Sequence, residues 1–276
     1  MPSRTPRVTS TKNPIVGRFR ALADRHGRDE ARQFVIEGIR LLDQALADGV
    51  RLDVLVYDLQ AAGDSRIQTI LTRAANAGVT LIPAAPHVVA VCSQVETPQG
   101  IVAIADRPQA SLPELVRDPA ALLIIADRIQ DPGNLGTIIR IADAAGATGV
   151  VAVAGTVDPF NPKAVRATMG SLFHLAIVEA AADDALAALL EYEVRILVAD
   201  QHGAVDFLDA DYRRPFAVVL GNEGHGASAR WTEHAAATVR IPLYGRAESL
   251  NVAVAAALLL YEARRKRGVK SGPEAR

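Results

Sequence analysis

Three stretches of this 276-residue chain gather residue types that can hold a ligand or move a proton. The first, Ala126 to Gly149, reads ADRIQDPGNLGTIIRIADAAGATG. Ahead of the turn formed by Asp131, Pro132 and Gly133, the apolar run Leu122 to Ala126 has the character of a buried strand. Asn134 stands where a helix N-cap belongs. Leu135, Ile138, Ile139 and Ala142 recur at i, i+3, i+4 and i+7, so one stripe faces a core until Gly146 ends the helix. Arg140 falls outside that stripe, and Gly136, one turn before it, leaves space for something to approach. Two readings stay open for Arg140 at this point: a solvated surface arginine, or a guanidinium presented to a ligand.

The second stretch follows the apolar strand Phe216 to Leu220 and reads Gly221-Asn222-Glu223-Gly224-His225-Gly226. Its glycines allow close backbone approach and positive-φ turns, which serve either a ligand or a tight turn alone. The spacing does not match the dinucleotide-binding GxGxxG pattern. A third stretch, Ile241 to Asn251, leads from a strand into a long apolar helix. Ser249 can cap that helix, while Asn251 places an amide at the edge of an apolar face, where it needs a hydrogen-bond partner.

These loops need elements to position them, and the pattern of the chain supplies an α/β framework. Strands expected at 121–126, 149–153, 174–178, 194–199, 216–220 and 238–241 alternate with helices at 134–145, 162–169, 183–191, 228–234 and 249–267, which implies a parallel sheet covered on both faces. Ligands gather beyond the carboxyl ends of such strands. Residues 1–106 read as a smaller α/β unit whose first 12 residues form a loose arm. A helix is expected from an Asn13-Pro14 cap to about Gly27. Residues 107–119, with three prolines and little periodicity, read as a linker to a domain at 120–276.

Half of the residues are hydrophobic but only 4 % aromatic, a globular composition built on aliphatic side chains. The longest apolar run, Val252 to Tyr261, is shorter than the roughly 20 residues that span a bilayer. With no apolar signal core near the N-terminus, the chain reads as cytoplasmic. Its single cysteine, Cys92, excludes an internal disulfide framework and fits a small core residue. The six histidines show no metal-binding pairing, so no metal is expected. Net charge is −1 overall, yet residues 1–40 carry +5, residues 261–276 carry +4, and the middle carries −10. Basic ends of this kind suit a polyanion such as RNA, and equally suit solvated termini.

DPGNLGTIIRIADAAGATG, VVLGNEGHG and IPLYGRAESLNVAVAAALLLYE resemble, in order, the three motifs of the SpoU (TrmH) RNA ribose 2′-O-methyltransferases of the SPOUT superfamily. FVIEGIRLLDQAL resembles the ribosomal-protein-like substrate-binding domain that many of these enzymes carry. The resemblance implies a trefoil knot in the catalytic domain and S-adenosyl-L-methionine as donor, bound at Gly221, Ile241 and Leu250. It makes Arg140, Asn134, Glu223, Ser249 and Asn251 the reacting-site residues, with Arg140 as activator of the ribose hydroxyl. A homodimer that completes the site is implied too. The separate N-terminal domain points to large-subunit ribosomal RNA as substrate; a tRNA substrate, or a non-catalytic RNA-binding assembly factor on the same fold, are the alternatives.

Overall fold

A computed structural model describes residues 6–266. Expectations for the first five residues of the arm and for the basic residues beyond 266 lie outside the described residues. The chain divides into two compact units, one formed by Met1–Pro108 with Phe160–His174, the other by Gln109–Pro159 with Leu175–Arg276.

In the first unit, α1 (Pro14–Ala21) is capped by the Asn13 side chain, which accepts from the Ile15 amide. The helix stops earlier than its pattern suggests. Asp24 caps a second helix, α2 (Arg25–Ala31), and the buried Arg28 guanidinium donates to the carbonyls of Leu22 and Ala23 that the break leaves open. β1 (Gln33–Glu37), α3 (Ile39–Ala47), β2 (Leu52–Asp58), α4 (Ser65–Asn76), β3 (Thr80–Ala84), α5 (Pro86–Cys92) and β4 (Ile101–Asp106) follow. The sheet order is β1-β4-β2-β3, with β4 antiparallel to β1 and β2, and β2 parallel to β3. The expected arm is pinned at Val8, whose amide and carbonyl bond to Pro83 and Ala85 alongside β3.

The second unit opens within the expected linker, where a helix forms instead. In α6 (Leu112–Arg117), Ser111 and Glu114 make a reciprocal capping box and Leu115 and Val116 are buried. The Ser-x-x-Glu signature was present, but the neighbouring prolines masked it; one of them, Pro113, occupies the first turn, where it costs no hydrogen bond. Beyond it come β5 (Leu122–Ala126), α7 (Pro132–Ala144), β6 (Gly149–Val153), α8 (Pro162–Thr168), β7 (Ala176–Ala180), α9 (Ala182–Glu191), β8 (Arg195–Ala199), β9 (Val205–Asp206), β10 (Phe216–Leu220), α10 (Ala229–Glu233), β11 (Ala237–Arg240) and α11 (Val252–Lys266). Of these, α8 packs with the first unit against β1.

Seven strands pair in the order β7-β6-β5-β10-β8-β11-β9, every pairing parallel. This is the expected parallel sheet, with the two-residue edge strand β9 added. One sheet face, carrying Leu123, Ile125, Val151, Ile196, Val198 and Val219, packs with Trp231 of α10 and Leu186 and Leu189 of α9. The alternate residues Leu122, Ile124, Val150 and Val218 are equally buried and point to the other face, which α7 and α11 cover. Arg264 ties those two helices together by donating to the carbonyls of Ala145 and Gly146 at the end of α7.

The chain builds outward from β5 through β6 to β7, then returns to lay β10 and β8 on the other side. β5 and β10 meet at that reversal with Ala126 opposite Leu220, so the loops that leave them start side by side.

Candidate active site

The buried stripe of α7 is the expected one: Leu135, Ile138, Ile139 and Ala142 are fully buried. Its cap is not. Asp131 is the N-cap, accepting from the Asn134 amide at 2.9 Å, and Asn134 is the third helical residue. Pro132 explains the shift: it suits the first helical position and holds the residue before it in extended backbone, which is the N-cap conformation. Relieved of capping, the Asn134 side chain is free to reach across the sheet edge.

Its Nδ2 donates to Glu223 Oε1 at 3.0 Å, and its Oδ1 accepts from Asn251 Nδ2 at 3.0 Å. Glu223 also accepts from the amides of Gln130 at 3.2 Å and Asp131 at 3.4 Å. Burial pushes the Glu223 carboxyl upward, but the Asn134 amide and the backbone donors outweigh it and leave the group below the ordinary carboxylate range. Glu223 is therefore an ionised acceptor that holds two loops together.

Asn251, not Ser249, caps α11: its Oδ1 accepts from Ala253 at 2.9 Å and Val254 at 3.4 Å, and its carbonyl takes the first helical bond from Ala255. Thus one amide side chain both starts the long helix and fixes Asn134. Ser249 is exposed and, among the described residues, has no hydrogen-bond partner.

A cavity of about 520 Å³ opens beside this chain of bonds, within the roughly 300–1,000 Å³ of small-molecule sites. Gly221, Glu223, Ile241, Ser249, Leu250 and Asn251 all line it, so six of the eight expected residues converge there. Gly221 is buried and has no room for a side chain: a Cβ would lie 2.0 Å from the Ala227 nitrogen. Asp200 and His202, from the loop after β8, line the cavity as well, and nothing in the sequence pattern marked them.

Arg140 stands apart. It is exposed on α7, about 9 Å along the helix axis from Asn134, and among the described residues nothing pairs with it. Gly136 does not open the space expected beside it, because it is buried on the packed side of the helix. The arginines of α1 and α2 are also less free than the +5 charge of residues 1–40 suggests. Arg18 bonds Asp53 and Gln33, Arg25 faces Asp29 and Arg28 is buried; Arg20 remains exposed. Cys92 is buried, and burial pushes its thiol up to about 11, as suits a core residue. Among the described residues no group of three or more His, Cys, Asp or Glu is placed to hold a metal ion.

Residues 121–261 match the model of the SpoU rRNA methylase family, and residues 13–103 match the MRM3-like substrate binding domain. The chain belongs to the SpoU rRNA methylase family. It is 34 % identical to the 23S rRNA (guanosine(2553)-2′-O)-methyltransferase RlmP of Bacillus subtilis, over 93 % of this chain and 98 % of that one. The 23S rRNA (uridine(2479)-2′-O)-methyltransferase of Streptomyces viridochromogenes is 32 % identical over 96 % of this chain and 94 % of its own. The fold is similar to the crystal structure of an AdoMet-bound rRNA methyltransferase from Sinorhizobium meliloti, with a TM-score of 0.83, 36 % identity and coverage of 95 % of this chain and 98 % of that one. The expected family membership and the expected α/β architecture with a smaller N-terminal domain are both met.

Proposed function

We propose that this SpoU-family protein transfers a methyl group from S-adenosyl-L-methionine to a ribose 2′-hydroxyl of large-subunit ribosomal RNA. The observation that carries this reading is the bonded sequence Glu223–Asn134–Asn251, which joins three strand-end loops at the rim of the Gly221, Ile241 and Leu250 cavity. Relatives named for 23S rRNA 2′-O-methylation, matched along nearly the whole chain, support the substrate, and an AdoMet-bound neighbour supports the donor.

The cavity fits the donor in size and in its mixture of backbone amides, aliphatic side chains and carboxylates. When bound, S-adenosyl-L-methionine supplies an electrophilic methyl group. The protein's part is to place a ribose oxygen in line and to draw off its proton. Arg140 is too basic to act as a free base. It pairs instead with an RNA phosphate and the target 2′-oxygen, lowering the energy of the developing alkoxide or passing the proton to the phosphate. Asn134 and Ser249 orient the hydroxyl. Glu223 and Asn251 keep the loops in register around it.

The first unit, with its substrate-binding-domain match, serves RNA capture, and the second unit, which carries most of the methylase match, is the catalytic domain. The protein acts as a homodimer through α11, where Val254, Leu258 and Tyr261 are 48 %, 38 % and 55 % exposed at i, i+4 and i+7. Arg140 then serves a donor held by the partner subunit. The family resemblance extends to a trefoil knot in the catalytic domain, and the cytoplasm is the compartment in which the substrate is met. Transfer of labelled methyl to unmodified ribosomal RNA and to tRNA, followed by nuclease mapping, tests the reading; label on a base rather than a ribose overturns it.

A further inference from the structure

Where the chain leaves β5, Arg128 has φ of 59°, the left-handed region that a residue with a Cβ seldom adopts. Such a conformation persists only where its surroundings enforce it. Here both sides of the backbone are engaged. The Arg128 amide donates to Thr156 Oγ1 at 2.9 Å, and that hydroxyl donates in turn to the Ala126 carbonyl at 2.7 Å. The Arg128 carbonyl accepts from Asn222 Nδ2 and from Gln130 Nε2, each at 3.0 Å. If turn geometry were the sole requirement, glycine would satisfy it at no steric cost.

The side chain does something glycine cannot. Its Nη2 donates to the Gly226 carbonyl at 3.3 Å. That carbonyl also accepts from the Asn222 amide at 3.0 Å, while the Gly226 amide returns a bond to the Asn222 carbonyl at 2.9 Å. Asn222 Oδ1 accepts from the amides of Gly224 and His225 inside the loop. Next to Arg128, Asp127, 2 % exposed, accepts from the Ser228 amide at 2.7 Å. Arg128 therefore grips the glycine loop at its start, through its carbonyl on Asn222, and at its end, through its guanidinium on Gly226, and Asp127 secures Ser228 two residues further on.

We infer that Arg128 is a positioning residue that holds Gly221–Gly226 in the shape of the donor cavity before the donor arrives. Three glycines in six residues make this loop entropically expensive to order, and binding is tighter when that ordering precedes the ligand. The left-handed backbone is what aims the guanidinium at Gly226 while presenting the carbonyl to Asn222. The inference rests on the reading of the cavity as the S-adenosylmethionine site.

The test is isothermal titration of S-adenosylmethionine into the full chain and into Arg128→Gly, Arg128→Ala and Arg128→Lys, with melting temperatures and steady-state kinetics alongside. Arg128→Gly relieves the strained φ and melts above Arg128→Ala, yet both bind the donor about tenfold more weakly than the wild type, the scale of one lost charge-assisted hydrogen bond. The donor KM rises in parallel, while kcat at saturating donor changes less than twofold, and Arg128→Lys recovers part of the affinity. Amide exchange of Gly224 and Gly226 in the donor-free protein is faster in the Gly and Ala variants. Wild-type donor affinity in Arg128→Gly overturns the inference, because backbone shape alone would then suffice. Failure of the wild type itself to bind S-adenosylmethionine overturns the donor-site reading, and the inference with it.

Discussion

The Asn134 amide and the Glu223 carboxylate, 89 residues apart, are joined at 3.0 Å, and Asn251 closes on the other side of the same amide. One side chain on α7 therefore sets the spacing of the two loops that frame the cavity. Its orientation follows from Asp131 taking over the cap, which leaves Asn134 with both amide atoms to spend across the sheet edge.

Arg140→Ala is expected to lower kcat by about 10²–10³, the usual effect of removing one group that stabilises developing charge. Donor affinity stays at the wild-type value, because Arg140 does not line the cavity. Arg140→Lys restores little, since an ammonium lacks the paired donors of a guanidinium. Single-turnover rates measured beside RNA-binding isotherms check this, and near-normal turnover with intact RNA binding refutes the assignment.

Asn251 separates capping from loop locking. Asn251→Ala loses the cap and destabilises the protein by about 1 kcal/mol. Asn251→Asp keeps an acceptor for the Ala253 amide, so its melting temperature stays near that of the wild type, but it cannot donate to Asn134 and turnover falls. Equal turnover in Asn251→Asp and wild type, followed by calorimetry and methyl-transfer assay, counts against the locking role.

Glu223 predicts an acid limit. Its folded-state pKa is lowered, so the stability it contributes is fully present above the ordinary glutamate value of about 4.3 and is lost as pH falls through the lowered value. Glu223→Gln removes this part of the pH dependence. Melting temperatures of both proteins between about pH 6 and pH 3 should converge at the acid end; parallel curves contradict the prediction.

The dimer reading predicts complementation. Leu258→Glu places a charge in the exposed stripe of α11 and should sediment as a folded, inactive monomer. Gly221→Ala, whose Cβ would meet the Ala227 backbone, cannot form the donor loop, and Arg140→Ala lacks the activator. Alone, the first binds no donor and the second keeps only turnover lowered by about 10²–10³. Mixed after co-refolding, they regain activity if Arg140 serves the partner's donor, since a mixed dimer then holds one complete site; no recovery places Arg140 in its own subunit's site.

Much of this protein was legible before any coordinates. The 3.6-residue recurrence of Leu135, Ile138, Ile139 and Ala142 gave α7 its buried face, and short aliphatic runs marked six of the seven strands of the second sheet, because burial on both faces selects continuous apolar segments. Three loops at strand ends were recognisable as a set through their order and residue types. The partners within the set were not. Whether Asn134 or Asp131 capped α7, and whether Ser249 or Asn251 capped α11, turned on local geometry that each candidate satisfied equally well as a residue type. The positive φ of Arg128 and its grip on Gly226 left no mark on the sequence either, for a hydrogen bond spanning 98 residues depends on which strands lie side by side. Residue pattern determines which face of each element is buried; only the placement of β10 against β5 decides which polar side chains, all free on their own elements, find one another.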